Sequence, residues 1–172
     1  MKDIGHLSSL LEHMMVESRI RDLAHYALGD RRDRVAHIAS TISQLPAGWY
    51  LIGTGPQFCD IIRVGRQEIT IGRTASAGEE PLEVVIDYAV NDAMLTGPRE
   101  VSRLHLAVRV NGRDDVLEVR DERSSTGTWL VPENEQLEPG VWYELDSGRS
   151  IGLGPSQVNL FVAVRVGHPG CA

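Results

Sequence analysis

The feature that most restricts the fold of this chain is a series of short apolar runs between residues 49 and 166. The runs are rich in Val, Ile, Trp and Tyr, and Gly, Asn or Asp residues separate them. Ten runs have the length and composition of strands: Trp49–Ile52, Cys59–Val64, Glu68–Ile71, Leu82–Asp87, His105–Val110, Val116–Arg120, Thr128–Val131, Val141–Glu144, Ser150–Leu153 and Asn159–Val166. So many short strands at close spacing are typical of a β-sandwich, and a mostly β fold is therefore predicted.

The first 46 residues follow a different period. Apolar side chains recur at three- and four-residue steps over Ile4–Leu28 and again over Val35–Leu45, with a turn signal at Gly29 between the two stretches. This spacing predicts two amphipathic helices that form a hairpin. We therefore predict a helical extension at residues 1–46 and a β domain at residues 47–172.

The predicted hairpin carries more apolar surface than two short helices can bury against each other. It must therefore pack on the sandwich or on another chain. We predict that residues 1–45 form a docking or dimerisation element; in the second case the protein is a homo-oligomer that assembles through this segment.

Charge and hydropathy argue against two classes of function. The chain has 17 basic and 24 acidic residues, for a formal net charge of -7. Because phosphate-backbone binding depends mostly on clustered Lys and Arg, nucleic acid is not expected as the main ligand. No apolar run approaches the roughly 20 residues that span a bilayer, and the chain does not begin like a signal peptide. It is predicted to be cytoplasmic, without membrane insertion.

Cysteine and histidine spacing indicates neither a metal nor a cofactor. Cys59 and Cys171 are the only cysteines, and they are far apart in the sequence. The four histidines of the helical region, at positions 6, 13, 25 and 37, are separated by seven, twelve and twelve residues. A metal site on one helix face needs a four-residue spacing, so we expect no metal site and no cofactor.

Three short polar segments lie where predicted strands begin or end. They are Ile71–Arg73, Ser102–His105 and Ser124–Trp129. The junctions between strands and loops gather at the two ends of a sandwich, where loops distant in sequence can form one site on a rigid scaffold. The three segments are therefore expected to share one site.

Together these segments resemble the forkhead-associated (FHA) domain over about residues 49 to 166. The family pattern is Gly-Arg, Ser-x-x-His, a Ser-Thr-Asn-Gly-Thr-like turn and a Gly-x-x-Ile-x-Leu-Gly ending, which this chain supplies as Gly148–Gly154. Asp121 matches the acidic residue that often precedes the turn. The resemblance implies an eleven-stranded β-sandwich whose loops bind phosphothreonine peptides and which has no catalytic activity. It also implies a threonine-phosphorylated protein partner and an upstream Ser/Thr kinase, so that the chain acts as a signalling adaptor.

Five residues match the ligand-binding positions of the family. Arg73 and Ser102 correspond to its main phosphate contacts, and Ser125 to the hydroxyl residue of the second turn. Arg103 lies where the family commonly approaches the phosphate or the peptide. Thr126 occupies the position where many members have an Asn that holds the peptide backbone. Since one hydroxyl replaces a carboxamide, peptide affinity and selectivity are expected to differ at this position.

Four further residues match structural positions. By the resemblance, His105 braces the binding loops without touching the ligand, and Trp129 packs into the core. Gly72 and Gly127 are expected where the backbone must bend or approach closely, for which a missing Cβ is useful.

Physical chemistry supports the same ligand. A phosphate monoester carries about -1.5 to -2 charges near neutral pH and offers three strong acceptor oxygens. Arg73 provides a planar, permanently charged fork of donors, and Ser102 and Ser125 provide hydroxyl donors.

The segment between Arg73 and Ser102 is longer than the family pattern leads us to expect. It contains Gly78, Glu79 and Glu80, and it borders the expected site. Two readings stay open: extra selectivity contacts, or an ordinary surface insertion, which long loops tolerate at small entropic cost.

Two other functions are alternatives to phosphothreonine binding: a hydrolase and a phosphorylation-independent scaffold. A Ser102–His105 hydrolase is disfavoured, because residues three apart on a strand entry point to opposite faces and nothing in the sequence places a third residue to orient the histidine. A phosphorylation-independent scaffold is the second alternative, and the Thr126 departure motivates it.

Overall fold

Eleven strands follow one another along the part of the chain that the computed structural model describes. The described residues are 39–40, 42–53, 61–74, 78–80, 82–90, 99–113, 115–131, 133–156 and 159–167. The strands are β1 Gly48–Gly53, β2 Ile61–Val64, β3 Ile69–Arg73, β4 Tyr88–Val90, β5 Leu106–Asn111, β6 Val116–Asp121, β7 Thr128–Val131, β8 Glu135–Gln136, β9 Trp142–Leu145, β10 Ser150–Leu153 and β11 Leu160–Val166.

The strands form two sheets. One has six strands in the order β2-β1-β11-β10-β7-β8, and the other has five in the order β4-β3-β5-β6-β9. The pairing of β4 with β3 is parallel, and the remaining pairings are antiparallel. Alternate residues point inward, so that Trp49 and Leu51 of one sheet join Leu106 and Val108 of the other in a single core.

The outer face of the six-stranded sheet is also apolar. Tyr50 and Ile52 of β1 lie there beside Val162 and Val164 of β11, and all four are at most 2% exposed. Ile42, from a helical stretch at residues 42–44, packs against them and is 4% exposed. The chain thus covers this face with residues that precede β1. Among the described residues, no helix is long and apolar enough to cross a membrane.

The outer face of the five-stranded sheet is polar instead. The guanidinium carbons of Arg109 and Arg120 lie 4.0 and 4.4 Å from the ring centroid of Trp142. Arg109 also pairs with Glu118 on the neighbouring strand at 2.8 Å. This arrangement of charged and half-exposed side chains is typical of a face in contact with water.

The predicted mostly β fold is confirmed, with two sheets and eleven strands. Most of the helical hairpin predicted within residues 1–46 lies outside the described residues, which contain one short helical stretch at 39–44, residue 41 excepted. The predicted domain boundary after residue 46 stays a prediction.

The strand predicted at Leu82–Asp87 is wrong. This segment is bent and exposed, and the strand begins only at Tyr88. The backbone N–H and hydroxyl of Thr70 both donate to Asp87 Oδ2, at 2.8 and 2.9 Å, and the hydroxyl also reaches the Val85 carbonyl. Side-chain bonds from Thr70 therefore replace ladder bonds along this run, although its composition is that of a strand.

Two smaller expectations also need correction. No strand was expected at β8, because the exposed pair Glu135–Gln136 has no apolar signal. Trp129 was expected in the core but is only half-buried, with its indole N–H donating to the Thr126 carbonyl at 3.1 Å.

Candidate functional site

The three polar segments singled out in the sequence meet at one end of the sandwich. The N–H of Arg73, at the end of β3, donates to the Ser102 carbonyl at 3.0 Å. The N–H of Ser125 donates to Ser102 Oγ at 2.9 Å, and the hydroxyl oxygens of the two serines are 3.1 Å apart. Arg73, Ser102 and Ser125 are therefore neighbours in space.

Gly72 makes the approach of two of these segments possible. A Cβ at this position would lie 2.0 Å from the Arg103 carbonyl oxygen and 3.1 Å from that of Ser102. Real side chains do not tolerate such distances, so only glycine lets the 102–103 segment cross β3 here. The requirement comes from close approach, since the backbone of Gly72 does not have a positive φ.

Asp121 holds the turn that carries Ser125. Its Oδ1 accepts the Ser124 N–H at 2.8 Å, and its Oδ2 accepts the hydroxyls of Ser124 and Thr128, each at 2.7 Å. Ser124 Oγ in turn accepts the N–H of Gly127, whose φ is +82°. Asp121 is fully buried, and these three donors satisfy a carboxylate that would otherwise be costly to bury.

The His105 side chain connects the segment of Ser102 with the segment of Gly127. Its ring is fully buried, and Nδ1 accepts the Ser102 N–H at 3.0 Å. Nδ1 therefore carries no hydrogen, so the neutral ring bears it on Nε2, which lies 3.2 Å from the Gly127 carbonyl. Nδ1 thus contacts the backbone of Ser102 and Nε2 contacts that of Gly127, so the ring braces the two loops against each other.

Arg73 forms a two-pronged ion pair with Glu79, from the segment that follows β3. Its two terminal nitrogens donate to the two carboxylate oxygens at 2.8 and 2.7 Å, and one of them also reaches the Thr74 carbonyl at 3.0 Å. The Arg73 side chain is 14% exposed and that of Glu79 is 32% exposed. Parallel N–H···O bonds of this kind are the stronger form of the arginine–carboxylate pair.

The two remaining predicted ligand residues contact backbone carbonyls. Arg103 donates to the carbonyl of Glu80, and the Thr126 hydroxyl donates to that of Glu100 at 2.5 Å. The carboxylate of Glu100 in turn accepts the N–H and hydroxyl of Ser156, between β10 and β11. Arg103 and Thr126 thus tie neighbouring loops to the site.

Three residues beside the site were missed as contacts. Glu79 was noted only as part of the long segment, while Glu100 and Ser156 carried no motif. Each reaches the site through a loop conformation, which has no periodic signal in sequence. The unusual length of the segment after Arg73 was the one available clue to Glu79.

The arrangement is suited to binding an anion of tetrahedral shape. The Arg73 fork, which pairs with Glu79, and two hydroxyls 3.1 Å apart come from three segments joined by hydrogen bonds, and the buried Asp121 and His105 support the loops that carry the hydroxyls. Three donors from separate segments match the several acceptor oxygens of a phosphate group better than the two of a carboxylate.

Comparison with known families identifies the fold. The family model of the FHA domain matches residues 69–154, which is half of the chain. The chain therefore belongs to the FHA domain family. No curated protein sequence matches it significantly.

Solved FHA domains share the architecture. The FHA domain of the CT664 protein from Chlamydia trachomatis has a TM-score of 0.52 at 18% identity, over 69% of this chain and 98% of that one. The FHA domain of an Arabidopsis thaliana hypothetical protein has a TM-score of 0.52 at 22% identity, over 73% and 92%. The MEK1 FHA domain, solved in complex with a HOP1 phosphothreonine peptide, has a TM-score of 0.50 at 17% identity, over 71% and 100%.

Proposed function

We propose that this chain is a non-catalytic reader of phosphothreonine on a partner protein. The observation that carries the proposal is the convergence of Arg73, Ser102 and Ser125 from three separate segments. Arg73 supplies charge and a fork of donors, and the two hydroxyls supply further donors to the remaining phosphate oxygens. The fold shared with an FHA domain that binds a phosphothreonine peptide supports the same ligand.

In this account the protein is a cytoplasmic adaptor that acts downstream of a Ser/Thr kinase. The kinase creates the ligand, and the domain recruits the marked partner without changing it chemically. Residues 1–45 serve as a docking or self-association element. The packing of Ile42 on β1 and β11 supports docking on the sandwich.

A titration against peptide libraries tests this function. The libraries carry phosphothreonine, phosphoserine or unmodified threonine in otherwise degenerate sequences. We expect binding to the phosphothreonine library alone, and Arg73→Ala to remove about 1.5 to 3 kcal/mol, or roughly ten- to hundredfold in affinity. Stability is expected to change little, because the Glu79 side chain that loses Arg73 is 32% exposed and can be hydrated in its place.

Arg165→Ala is the matched control for this titration. Arg165, on β11 of the six-stranded sheet, pairs with Asp115 from the turn before β6, and the Arg165 side chain is 53% exposed. Its removal deletes the same charge without touching the three convergent segments. Equal loss of binding in both variants, or binding that ignores the phosphate, would count against the reader.

The second candidate is a phosphorylation-independent scaffold. It is favoured by the internal engagement of two predicted ligand residues: Arg73 binds Glu79, and Thr126 binds the Glu100 carbonyl. On this hypothesis partner capture is independent of phosphorylation, and Arg73→Ala leaves it unchanged. The same libraries therefore separate the two functions.

A further inference from the structure

Glu79 occupies the donors that a phosphate group would need. Both terminal nitrogens of Arg73 are directed at its carboxylate oxygens, at 2.8 and 2.7 Å. A phosphate cannot receive the same two N–H groups while this pair is in place. Phosphopeptide binding at Arg73 therefore requires an exchange in which the phosphate takes the arginine and Glu79 gives it up.

The exchange takes Arg73 away from the Glu79 carboxylate and places a newly bound group of about -1.5 to -2 charges near it. Like charges at close range repel, and the repulsion is strongest where water is partly excluded, as around the 14% exposed Arg73 side chain. The next residue, Glu80, is exposed and adds a second acid to the same segment. A cation supplied with the phosphate would remove this repulsion and restore the partner of Glu79.

Other groups near the site are already engaged. Arg103 donates to the Glu80 carbonyl, and the Glu100 carboxylate accepts two bonds from Ser156. Of the acids near the site in the described part of the chain, Glu79 is thus the one whose bonds to Arg73 the phosphate would displace.

We propose that Glu79 is a specificity-determining residue that selects phosphothreonine segments carrying a basic residue near the phosphothreonine. The phosphate takes Arg73, and the basic side chain of the ligand takes Glu79, so that two ion pairs replace one. With a segment that lacks the basic residue, the phosphate–Arg73 pair only replaces the Arg73–Glu79 pair, and no second ion pair forms. The inference rests on the proposed function and names the ligand class of the same site.

A cycle of paired variants and peptides tests the proposal. Starting from the best phosphothreonine peptide, a single Arg is placed in turn at each flanking position, and each peptide is compared with its Ala counterpart. The full-length wild-type protein, Glu79→Gln and Glu80→Gln are titrated against every pair. Glu80→Gln removes the same charge from the same segment and leaves the Arg73–Glu79 pair intact.

For the wild-type protein we expect at least one Arg position that improves affinity by about three- to tenfold over Ala, since partly buried ion pairs contribute somewhat more than exposed ones. Glu79→Gln should reduce this preference below about twofold and should strengthen binding of the Ala peptide by about two- to fivefold. Glu80→Gln should keep most of the preference.

The remaining outcomes overturn the inference. A preference that survives Glu79→Gln, or one that Glu80→Gln abolishes equally, would show a general effect of acidic charge. Absence of any preference would show that Glu79 does not select a basic residue of the ligand. If the wild-type protein binds phosphorylated and unmodified peptides equally, it is the proposed function that fails, and the two failures are thus distinct.

Discussion

At the scale of single residues, the site depends on the missing Cβ of Gly72 as much as on the side chain of Arg73. Gly72 allows the carbonyl of Arg103 to lie where any Cβ would be. The same crossing brings the Arg73 N–H to the Ser102 carbonyl at 3.0 Å. The close crossing of the 102–103 segment over β3 therefore both requires glycine at position 72 and brings Arg73 next to Ser102.

Gly72→Ala should disturb both stability and binding. The new methyl group lies 2.0 Å from the Arg103 carbonyl oxygen, so the 102–103 segment must shift. We expect the free energy of unfolding to fall by about 1 to 3 kcal/mol, the usual range for forced overpacking, and phosphopeptide affinity to fall with it. Chemical denaturation and peptide titration measure the two effects.

Gly65→Ala is the control for this substitution. A Cβ at Gly65 has nothing within 4 Å, and its φ is not positive. It should therefore unfold like the wild-type protein. If the two variants behave alike, the close approach at Gly72 does not limit the fold.

At the scale of elements, the sequence predicted best where an apolar run is buried along most of its length. β1 and β5 are strands of this kind, and their predicted ranges are off by one residue at each end. The apolar run 82–87 misled because side-chain bonds from Thr70 hold it out of the sheet. β8 was missed because its two residues are exposed and polar and show no apolar pattern; they form a strand only by pairing with β7.

The site follows the same rule. The positions of Arg73, Ser102 and Ser125 were predictable because each lies at the end of a strand with a recognisable motif. The partners Glu79 and Glu100 were not, because they reach the site through loops whose course the local sequence does not determine. What the motif could not reveal is that Arg73 already has a carboxylate on its fork.

The helical stretch before β1 should contribute measurably to stability. Ile42 is 4% exposed and packs on Tyr50, Ile52, Val162 and Val164. Ile42→Ala is expected to lower the free energy of unfolding by about 2 kcal/mol or more, as for other buried Ile to Ala changes.

Gln44→Ala serves as the control for Ile42→Ala, since Gln44 is exposed on the same stretch. It should change the free energy of unfolding by less than about 0.5 kcal/mol. Equal effects of the two substitutions in chemical denaturation would show that the stretch does not hold the outer face of the sheet.

At the scale of the whole molecule, a local group of donors lies in a chain of formal net charge -7. The overall field repels acidic ligands and attracts basic ones, in the same sense as the proposed role of Glu79. The outer faces of the two sheets differ. Ile42 packs on that of the six-stranded sheet, whereas that of the five-stranded sheet carries Arg109 and Arg120 beside the ring of Trp142.

Residue-resolved NMR titration of the isotopically labelled protein with a phosphothreonine peptide tests the central claim most directly. The account predicts the largest amide shifts at residues 72–73, 102–103 and 125–127, all saturating at one peptide concentration, and no such shifts with the unmodified peptide. Shifts centred on β1 and β11, or shifts that are the same with and without the phosphate, would contradict it.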